Sequence, residues 1–252
     1  MHGVAGSGLI WDQVVDRLEL DVEVVAVDLL GYGHSPRPRT TYTAAVHVDA
    51  IIATLDEIGV REPAYVVGLS MGSLLAVDFA ARYPQRTRAV VGVALPYYRD
   101  EAEARRDLRA NVWTGLVTRT PRVARVVVPL LWGLGSRSRT LSRLLAPRMY
   151  TSEVARESML VDYGAFASTL TECMVRHRVE PALDATAEIP MAFLHGSTDR
   201  WCPSERVAAL LDRRPHCTFR VVDGVGHNLA VLAPDETAAH ITALVKDYPP
   251  LP

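Results

Sequence analysis

The chain has 252 residues, of which 49% are apolar, and a formal net charge of −2. This length suits one domain, or one domain with an insertion, and the apolar content is sufficient for a sizeable core. A net charge so close to zero argues against a general nucleic-acid-binding protein. The longest apolar stretch, Val126 to Leu134, contains Pro129 and Gly133 and is too short to span a bilayer.

The helical spacing of apolar residues predicts helices around 11–18 and 50–58, after Ser70, and from about Ser204 and Pro234. Gly59 is the expected C-cap of the second of these helices. Short apolar runs between the helical stretches predict five strands, at Val22–Val27, Ala64–Gly68, Ala89–Leu95, Met191–His195 and Thr218–Val222. This alternation is typical of a parallel sheet with helices on both faces.

The region from about Tyr97 to Arg178 interrupts the alternation. It contains no convincing strand and is rich in arginine and in helix-forming residues. We interpret it as a helical insertion between two strands of the sheet. The predicted domains are therefore a core formed by residues 1–96 and 181–252 and a helical lid formed by residues 97–180.

Three cysteines, Cys173, Cys202 and Cys217, are widely spaced, and no pair has the Cys-x-x-Cys spacing. This pattern favours reduced thiols over a disulfide framework or a zinc site. No signal-peptide pattern follows Met1, which is succeeded at once by a turn rich in Gly and Ser. We therefore expect a cytoplasmic protein with no integral membrane segment and no bound metal.

The pentapeptide Gly68-Leu69-Ser70-Met71-Gly72 lies between the second predicted strand and the helix that follows it. A serine between two glycines at a strand-to-helix junction has the pattern of a nucleophile elbow. The glycines lack a Cβ, so the strand and the helix can approach closely. Because a serine hydroxyl is too weakly acidic to attack a carbonyl unaided, Ser70 would need a partner base.

With this elbow, four further sequence blocks make the chain resemble the α/β-hydrolase fold family, in which they occur in the same order. The blocks are His2-Gly3-Val4-Ala5-Gly6-Ser7-Gly8, Asp28-Leu29-Leu30-Gly31-Tyr32-Gly33-His34-Ser35, His195–Pro203 and Val221–Asn228. The resemblance implies the α/β-hydrolase fold, a mostly parallel sheet flanked by helices with a helical lid. It also implies a catalytic triad formed by Ser70, Asp199 and His227, in that chain order.

The same resemblance implies the roles of single residues. His227 would accept the Ser70 proton, and Asp199 would orient the imidazole. The backbone amides of Val4 and Met71 would form the oxyanion hole.

Three other polar residues in these blocks have simpler expected roles. Asp28 is expected to be structural, and Asp223, the nearest competing carboxylate, to form a turn. His34 is expected at the surface or at the rim of the pocket.

Aromatic residues are expected to line an apolar substrate pocket over Ser70. They are Trp113, Trp132, Tyr163, Phe166 and Trp201. The many arginines of the lid are interpreted as a solvated face. An alternative is that they recruit an anionic substrate, a carrier protein or a membrane surface.

The expected function is that of a serine hydrolase that cleaves a small-to-medium apolar carboxylic ester, thioester or lactone through an acyl-enzyme. No cofactor or metal is expected, and the partner is a small apolar molecule rather than a nucleic acid. One alternative is a non-hydrolytic enzyme of this fold, such as a lyase, a cyclase or an eliminating enzyme, or a carbon–carbon bond hydrolase. Another is a non-catalytic binding protein, and the sequence leaves the oligomeric state open.

The resemblance implies a strand directly before His2, for which the chain from Met1 leaves no room. That strand lies inside the sheet of this fold, so its loss would leave backbone groups of two interior strands unpaired. We therefore expect that the N-terminal strands are missing and that this one lies in an upstream segment ending at Met1. In the alternative, Val22–Val27 and Ala64–Gly68 pair directly in a natural minimal form.

Overall fold

The computed structural model of the protein describes residues 1–146 and 150–249. Within these residues, four parallel strands form one sheet, and their order across the sheet is the order along the chain. The strands are β1 Ala64–Leu69, β2 Thr87–Val93, β3 Met191–Gly196 and β4 Cys217–Val222. These positions confirm four of the five predicted strands and the predicted α/β-hydrolase fold class. All six residues of β3 are buried, as expected of a parallel strand covered on both faces.

Helices cover both faces of the sheet. On one face, α2 and α3 pack against Val66, Val90 and Phe193, whereas α1 and α13 pack on the other face. The core helices are α1 Asp12–Val15, α2 Ala44–Glu57, α3 Met71–Arg82, α11 Ser204–Leu211, α12 Leu229–Leu232 and α13 Pro234–Asp247. Short 3₁₀-helices span Gly8–Trp11 and Pro84–Arg86. All five predicted helices are confirmed.

The C-terminus of α2 confirms the predicted role of Gly59. Gly59 has a φ of +83°, which a residue without a Cβ adopts at little cost. Its N–H donates to the carbonyl of Asp56, and the N–H of Val60 donates to that of Leu55. These two bonds form a Schellman motif, which satisfies carbonyl groups that the helix end would leave unpaired.

The segment between β2 and β3 is helical, as predicted, and no strand occurs in its described residues. It contains a π-helix at Leu170–Arg176 and seven α-helices. These are α4 Glu101–Leu108, α5 Val112–Arg119, α6 Pro121–Gly135, α7 Arg139–Leu145, α8 Ser152–Glu157, α9 Tyr163–Thr169 and α10 Glu180–Ala185. The separation of this segment from the core as a lid stays a prediction.

The predicted strand Val22–Val27 is wrong. Residues 21–29 form no ladder with another strand, and Val22, Val24 and Val25 are 38–45% exposed. Direct pairing of this segment with β1 is wrong as well, because an apolar groove of about 360 Å³ lies between them. The physical reason is that a strand requires a neighbour within hydrogen-bonding distance, and an apolar run does not provide one.

Met1 occupies one end of this groove. Its α-amino group donates to the carbonyl of Val67 over 2.7 Å, and its carbonyl accepts from the amide of Leu69 over 3.0 Å. These are the two bonds that one residue of a parallel strand makes with its neighbour. Met1 therefore pairs with the end of β1 and fixes the start of the loop that follows it.

Candidate active site

Ser70 lies at the turn between β1 and α3, with φ of +54° and ψ of −122°. A non-glycine residue in this region of backbone conformation is strained. The turn leaves no space for side chains on the flanking glycines. A Cβ at Gly68 would lie 2.0 Å from the carbonyl oxygen of Gly72, and a Cβ at Gly72 would lie 2.5 Å from that of Met1. The backbone therefore requires glycine at both positions and directs the Ser70 side chain out of the turn.

The structure brings Ser70, His227 and Asp199 together from three separate parts of the chain. His227 Nε2 lies 2.8 Å from Ser70 Oγ, and His227 Nδ1 lies 2.7 Å from Asp199 Oδ2. Asp199 follows β3 and His227 follows β4, so both are at the carboxyl edge of the sheet with the Ser70 turn. Parallel strands place their C-terminal loops at one edge, where sites of α/β proteins form.

Asp199 is held as a buried carboxylate. Its Oδ1 atom accepts hydrogen bonds from the backbone amides of Trp201 at 2.9 Å and Cys202 at 3.1 Å. Burial opposes ionisation, but the hydrogen bonds and charge of His227 and the amide of Cys202 outweigh it and hold the Asp199 pKa below its ordinary value. The carboxylate therefore has one oxygen fixed by the backbone and the other free to orient His227.

Sequence reasoning assigned no role to two further histidines, His195 and His2. His195 Nδ1 lies 3.8 Å from Asp199 Oδ2, and burial lowers the pKa of this imidazole. His2 lies beneath the Gly-rich loop: its Nδ1 donates to the carbonyl of Gly3 at 2.7 Å, and its Nε2 accepts from the amide of Leu29 at 2.9 Å. The only sequence signal for His2 was its place in the His-Gly pair.

Burial lowers the pKa of His2 to about 4, so the ring is neutral. A neutral ring donates from one nitrogen and accepts at the other, which matches the two partners of His2. The His2 ring therefore ties the Gly-rich loop to Leu29, at a point of the loop just before Val4. Gly3 passes over the elbow, since a Cβ built on it would lie 3.1 Å from Ser70 Cβ.

The two predicted oxyanion donors flank Ser70. Val4 lines the cavity above the serine, and Met71 is the first residue of α3. The amides of the first helical turn have no partner within the helix. Their role as donors to an oxyanion stays a prediction.

The cavity above Ser70 has a volume of about 110 Å³ and walls that are mainly apolar. Four of the five predicted pocket residues line it: Trp113, Trp132, Phe166 and Trp201. Trp132 joins two of these rings, with centroids 5.6 Å from Trp113 and 4.9 Å from Phe166. The Trp201 ring lies 4.8 Å from the His227 ring. Sequence reasoning missed other lining residues, namely Tyr98, Asn111, Leu170, Met174 and Asn228.

The prediction that Tyr163 lines the pocket is wrong, because Tyr163 is not among the residues around this cavity. Its hydroxyl donates to the carbonyl of Pro121 at 3.3 Å, so it ties α9 to the start of α6. The aromatic character of Tyr163 was visible in the sequence, but the direction of its side chain depends on how the helices pack.

The three residues expected outside the triad behave as predicted. Asp28 accepts the amides of Gly8 and His34 and has a structural role. Asp223 accepts the hydroxyl of Ser197 at 3.0 Å within the turn after β4. The side chain of His34 is exposed and pairs with Glu157.

Over residues 1–146 and 150–249, no three His, Cys, Asp or Glu side chains form a group that could hold a metal ion. None of the helices in the same residues combines the length and hydrophobicity needed to cross a bilayer. The three cysteines are free thiols, and the Cys202 thiol donates to the carbonyl of Leu95 at 3.0 Å. Cys202 therefore ties the end of β2 to the loop that carries Asp199.

Comparison with known proteins shows the family to which the chain belongs. The sequence profile of the alpha/beta hydrolase family matches residues 1–240. The chain belongs to this family. It is therefore an α/β-hydrolase enzyme, and the predicted family is confirmed.

Two relatives and one solved structure align with this hydrolase over nearly the whole of both chains. Lipase LipV of Mycobacterium tuberculosis is 30% identical to it over 96% of this chain and 90% of that protein. A pimeloyl-acyl-carrier-protein methyl ester esterase of Xanthomonas campestris is 30% identical over 99% of this chain and 94% of that protein. The crystal structure of E-2-(acetamidomethylene)succinate hydrolase superposes with a TM-score of 0.77 at 23% identity, over 97% of this chain and 89% of the other, a likeness of fold.

Proposed function

We propose that this enzyme is a serine hydrolase that cleaves small-to-medium apolar carboxylic esters, thioesters or lactones. The observation that carries the proposal is the continuous hydrogen-bonded path from Ser70 Oγ through His227 to Asp199, with distances of 2.8 and 2.7 Å. A serine hydroxyl hydrogen-bonded to an imidazole, which is in turn oriented by a carboxylate, is the arrangement of an activated nucleophile.

The reaction follows from this geometry. Ser70 Oγ attacks the carbonyl carbon while His227 Nε2 accepts its proton, and Asp199 stabilises the imidazolium that forms. The amides of Val4 and Met71 donate to the developing oxyanion. His227 then gives the proton to the leaving group, and an acyl-enzyme remains on Ser70 until water hydrolyses it.

The cavity supports an uncharged acyl group. Among its described lining residues there is no lysine or arginine, and its one carboxylate, Asp107, is paired with Arg206 at 2.6 Å. A charged acyl group would be buried there without a counter-ion, which is costly. Two relatives are named lipase and methyl ester esterase, which supports ester chemistry.

The test is hydrolysis of p-nitrophenyl acetate and butyrate, compared with the p-nitrophenyl monoester of succinate. The wild-type protein is expected to prefer butyrate to the charged succinate ester, and Ser70→Ala is expected to lose activity toward all three. Ser197→Ala is the matched control, because Ser197 lies on the turn after β3 and its hydroxyl bonds to Asp223 and to the amide of Gly224 rather than to the triad. Equal activity of wild type and Ser70→Ala would contradict the proposal.

The hydrolysis assay, combined with labelling by a fluorophosphonate probe, separates the alternative functions. Labelling of Ser70 by a fluorophosphonate without ester turnover would favour a non-hydrolytic enzyme that retains the triad. Neither labelling nor turnover in a protein with a cooperative thermal transition would favour a binding protein.

A further inference from the structure

One part of the helical segment has an unusual charge distribution. Residues 108–152 contain no Asp, Glu or Lys but eight arginines, although the whole chain carries a net charge of −2. The arginines are Arg109, Arg119, Arg122, Arg125, Arg137, Arg139, Arg143 and Arg148. The positive charge of this otherwise slightly acidic protein is therefore concentrated here.

The helix α6, in the middle of this stretch, is apolar on two opposite faces. Its inner face buries Ala124, Val128, Trp132 and Gly135. Four large apolar residues on its other face are 48–68% exposed: Val123, Val126, Leu130 and Leu134. At about 100° per residue these four lie opposite the inner face and form one stripe, which we call the outer stripe.

Exposed arginines lie on α6 and on the elements directly before and after it. Arg122 and Arg125 lie on α6 itself, Arg119 is the last residue of α5, and Arg137 lies in the turn between α6 and α7. Arg139 and Arg143 lie on α7. Within the described residues, none of these six has a carboxylate within 4.0 Å, whereas other arginines such as Arg86 and Arg206 are paired. Leu144, next to Arg143, is 76% exposed.

A helix that is apolar on all sides is normally buried, and a contiguous exposed apolar patch marks an interaction site. Helices that lie on membranes combine an apolar face, inserted among lipid headgroups, with basic residues that attract anionic lipids. Long arginine side chains can reach phosphates beside such a face while their methylene groups cover apolar surface. An anionic membrane supplies both parts of this match, an apolar layer for the stripe and an array of phosphates for the arginines.

We propose that the outer face of this segment, formed by the outer stripe and the six exposed arginines of α5, α6 and α7 and the turn between α6 and α7, docks on the surface of an anionic phospholipid membrane. The helix α6 then lies parallel to the bilayer. Trp132, on its inner face, lines the cavity above Ser70, so the docked helix separates the lipid surface from the candidate active site. This inference goes beyond the proposed function and does not depend on it.

The test is sedimentation of the full chain with vesicles of phosphatidylcholine, with and without phosphatidylglycerol. The wild-type protein is expected to bind only the anionic vesicles and to be released as ionic strength rises. The double variant Arg122→Gln with Arg125→Gln removes two positive charges. It should bind about 30-fold more weakly, since each charge contributes a factor of about five to the affinity. Val126→Ser with Leu130→Ser should weaken it about 10-fold or more, because the stripe loses its apolar contact.

Matched controls lie elsewhere on the surface. Ile58→Ser changes an apolar residue that is 53% exposed and directly follows α2, and Arg61→Gln with Arg213→Gln removes two exposed charges. These variants should bind as the wild type does, and thermal midpoints should show that every variant is folded. Absence of binding to anionic vesicles would overturn the proposal, as would binding that the stripe variant leaves unchanged. Binding to a small acidic carrier protein without vesicle binding would overturn it in favour of a protein partner.

Discussion

Replacement of Asp199 by asparagine tests the predicted role of this residue without changing its shape. Asp199 Oδ1 accepts two backbone amides, at 2.9 and 3.1 Å. In Asp199→Asn the amide oxygen is expected to keep this position, because a side-chain NH₂ group there would face two donors. The NH₂ group must then face His227 Nδ1 at the site where Oδ2 now lies 2.7 Å away.

An NH₂ group in that position donates to Nδ1, so the His227 proton moves to Nε2. That nitrogen then donates toward Ser70 and cannot accept its proton. The same exchange in serine proteases lowers kcat about 10⁴-fold with the geometry intact, and we expect a loss of that order. The assay is steady-state hydrolysis of p-nitrophenyl butyrate, with Asp223→Asn as the control. Retention of a tenth of wild-type kcat by Asp199→Asn would contradict the predicted role of Asp199 in fixing the His227 tautomer.

Three further substitutions test the role of His2 in the loop before Val4, the need for glycine at position 68 and the burial of His240. His2→Phe removes both bonds that hold the loop before Val4; kcat should fall about 10- to 100-fold with little change in KM, less than the loss of a complete oxyanion donor. Gly68→Ala should destabilise the fold by about 3 kcal/mol, the upper end for overpacking, because the new methyl group meets the carbonyl of Gly72; an unchanged thermal midpoint would contradict this. Burial lowers the pKa of His240 from 6.5 to about 4, so its neutral form stabilises the fold above pH 6.5 and that contribution is lost as the pH falls toward 4. His240→Gln should therefore reduce the loss of stability between pH 7 and pH 5 by about 2 kcal/mol in urea unfolding, and an identical pH dependence would argue against the buried neutral ring.

The strands that the sequence predicted correctly are those with partners on the sheet. The runs at β1, β2 and β3 are continuous apolar stretches, which is what burial on both faces requires. Val22–Val27 has the same apolar character, yet it forms no strand, because its neighbour toward β1 is a groove. A local pattern reports whether a segment could form a strand, but pairing depends on residues distant in the chain.

The candidate site likewise has one part that the sequence predicts, the triad, and one part that it does not, the walls of the cavity. Motif position was enough to predict that Ser70, Asp199 and His227 would meet, since each follows a strand at the carboxyl edge of the sheet. The walls of the cavity come from helices between β2 and β3, where side-chain direction depends on packing. Trp132 points inward and Tyr163 does not, although both are aromatic residues of the same segment. His195 went unrecognised because nothing in its sequence context indicates contact with a carboxylate.

The arginine-rich segment shows a further limit of sequence reasoning. The sequence displayed the charge, and a solvated face was the simplest interpretation. The structure adds that the apolar residues of α6 fall on two opposite faces, one buried and one exposed, and that the arginines of α6 and its neighbouring elements are exposed. This arrangement depends on which face of α6 packs inward, which the apolar pattern of a helix with valine and leucine on all sides does not define.

If Ser70 is the nucleophile, an acyl-enzyme forms on its hydroxyl and can be trapped during turnover. The protein is mixed with p-nitrophenyl butyrate, quenched in acid early in the reaction and measured by intact-protein and peptide mass spectrometry. We expect one butyryl group per chain, on the peptide that contains Ser70, and none in Ser70→Ala. Acylation of another residue, or turnover that persists in Ser70→Ala without any acyl-enzyme, would contradict the assignment of Ser70 as the nucleophile.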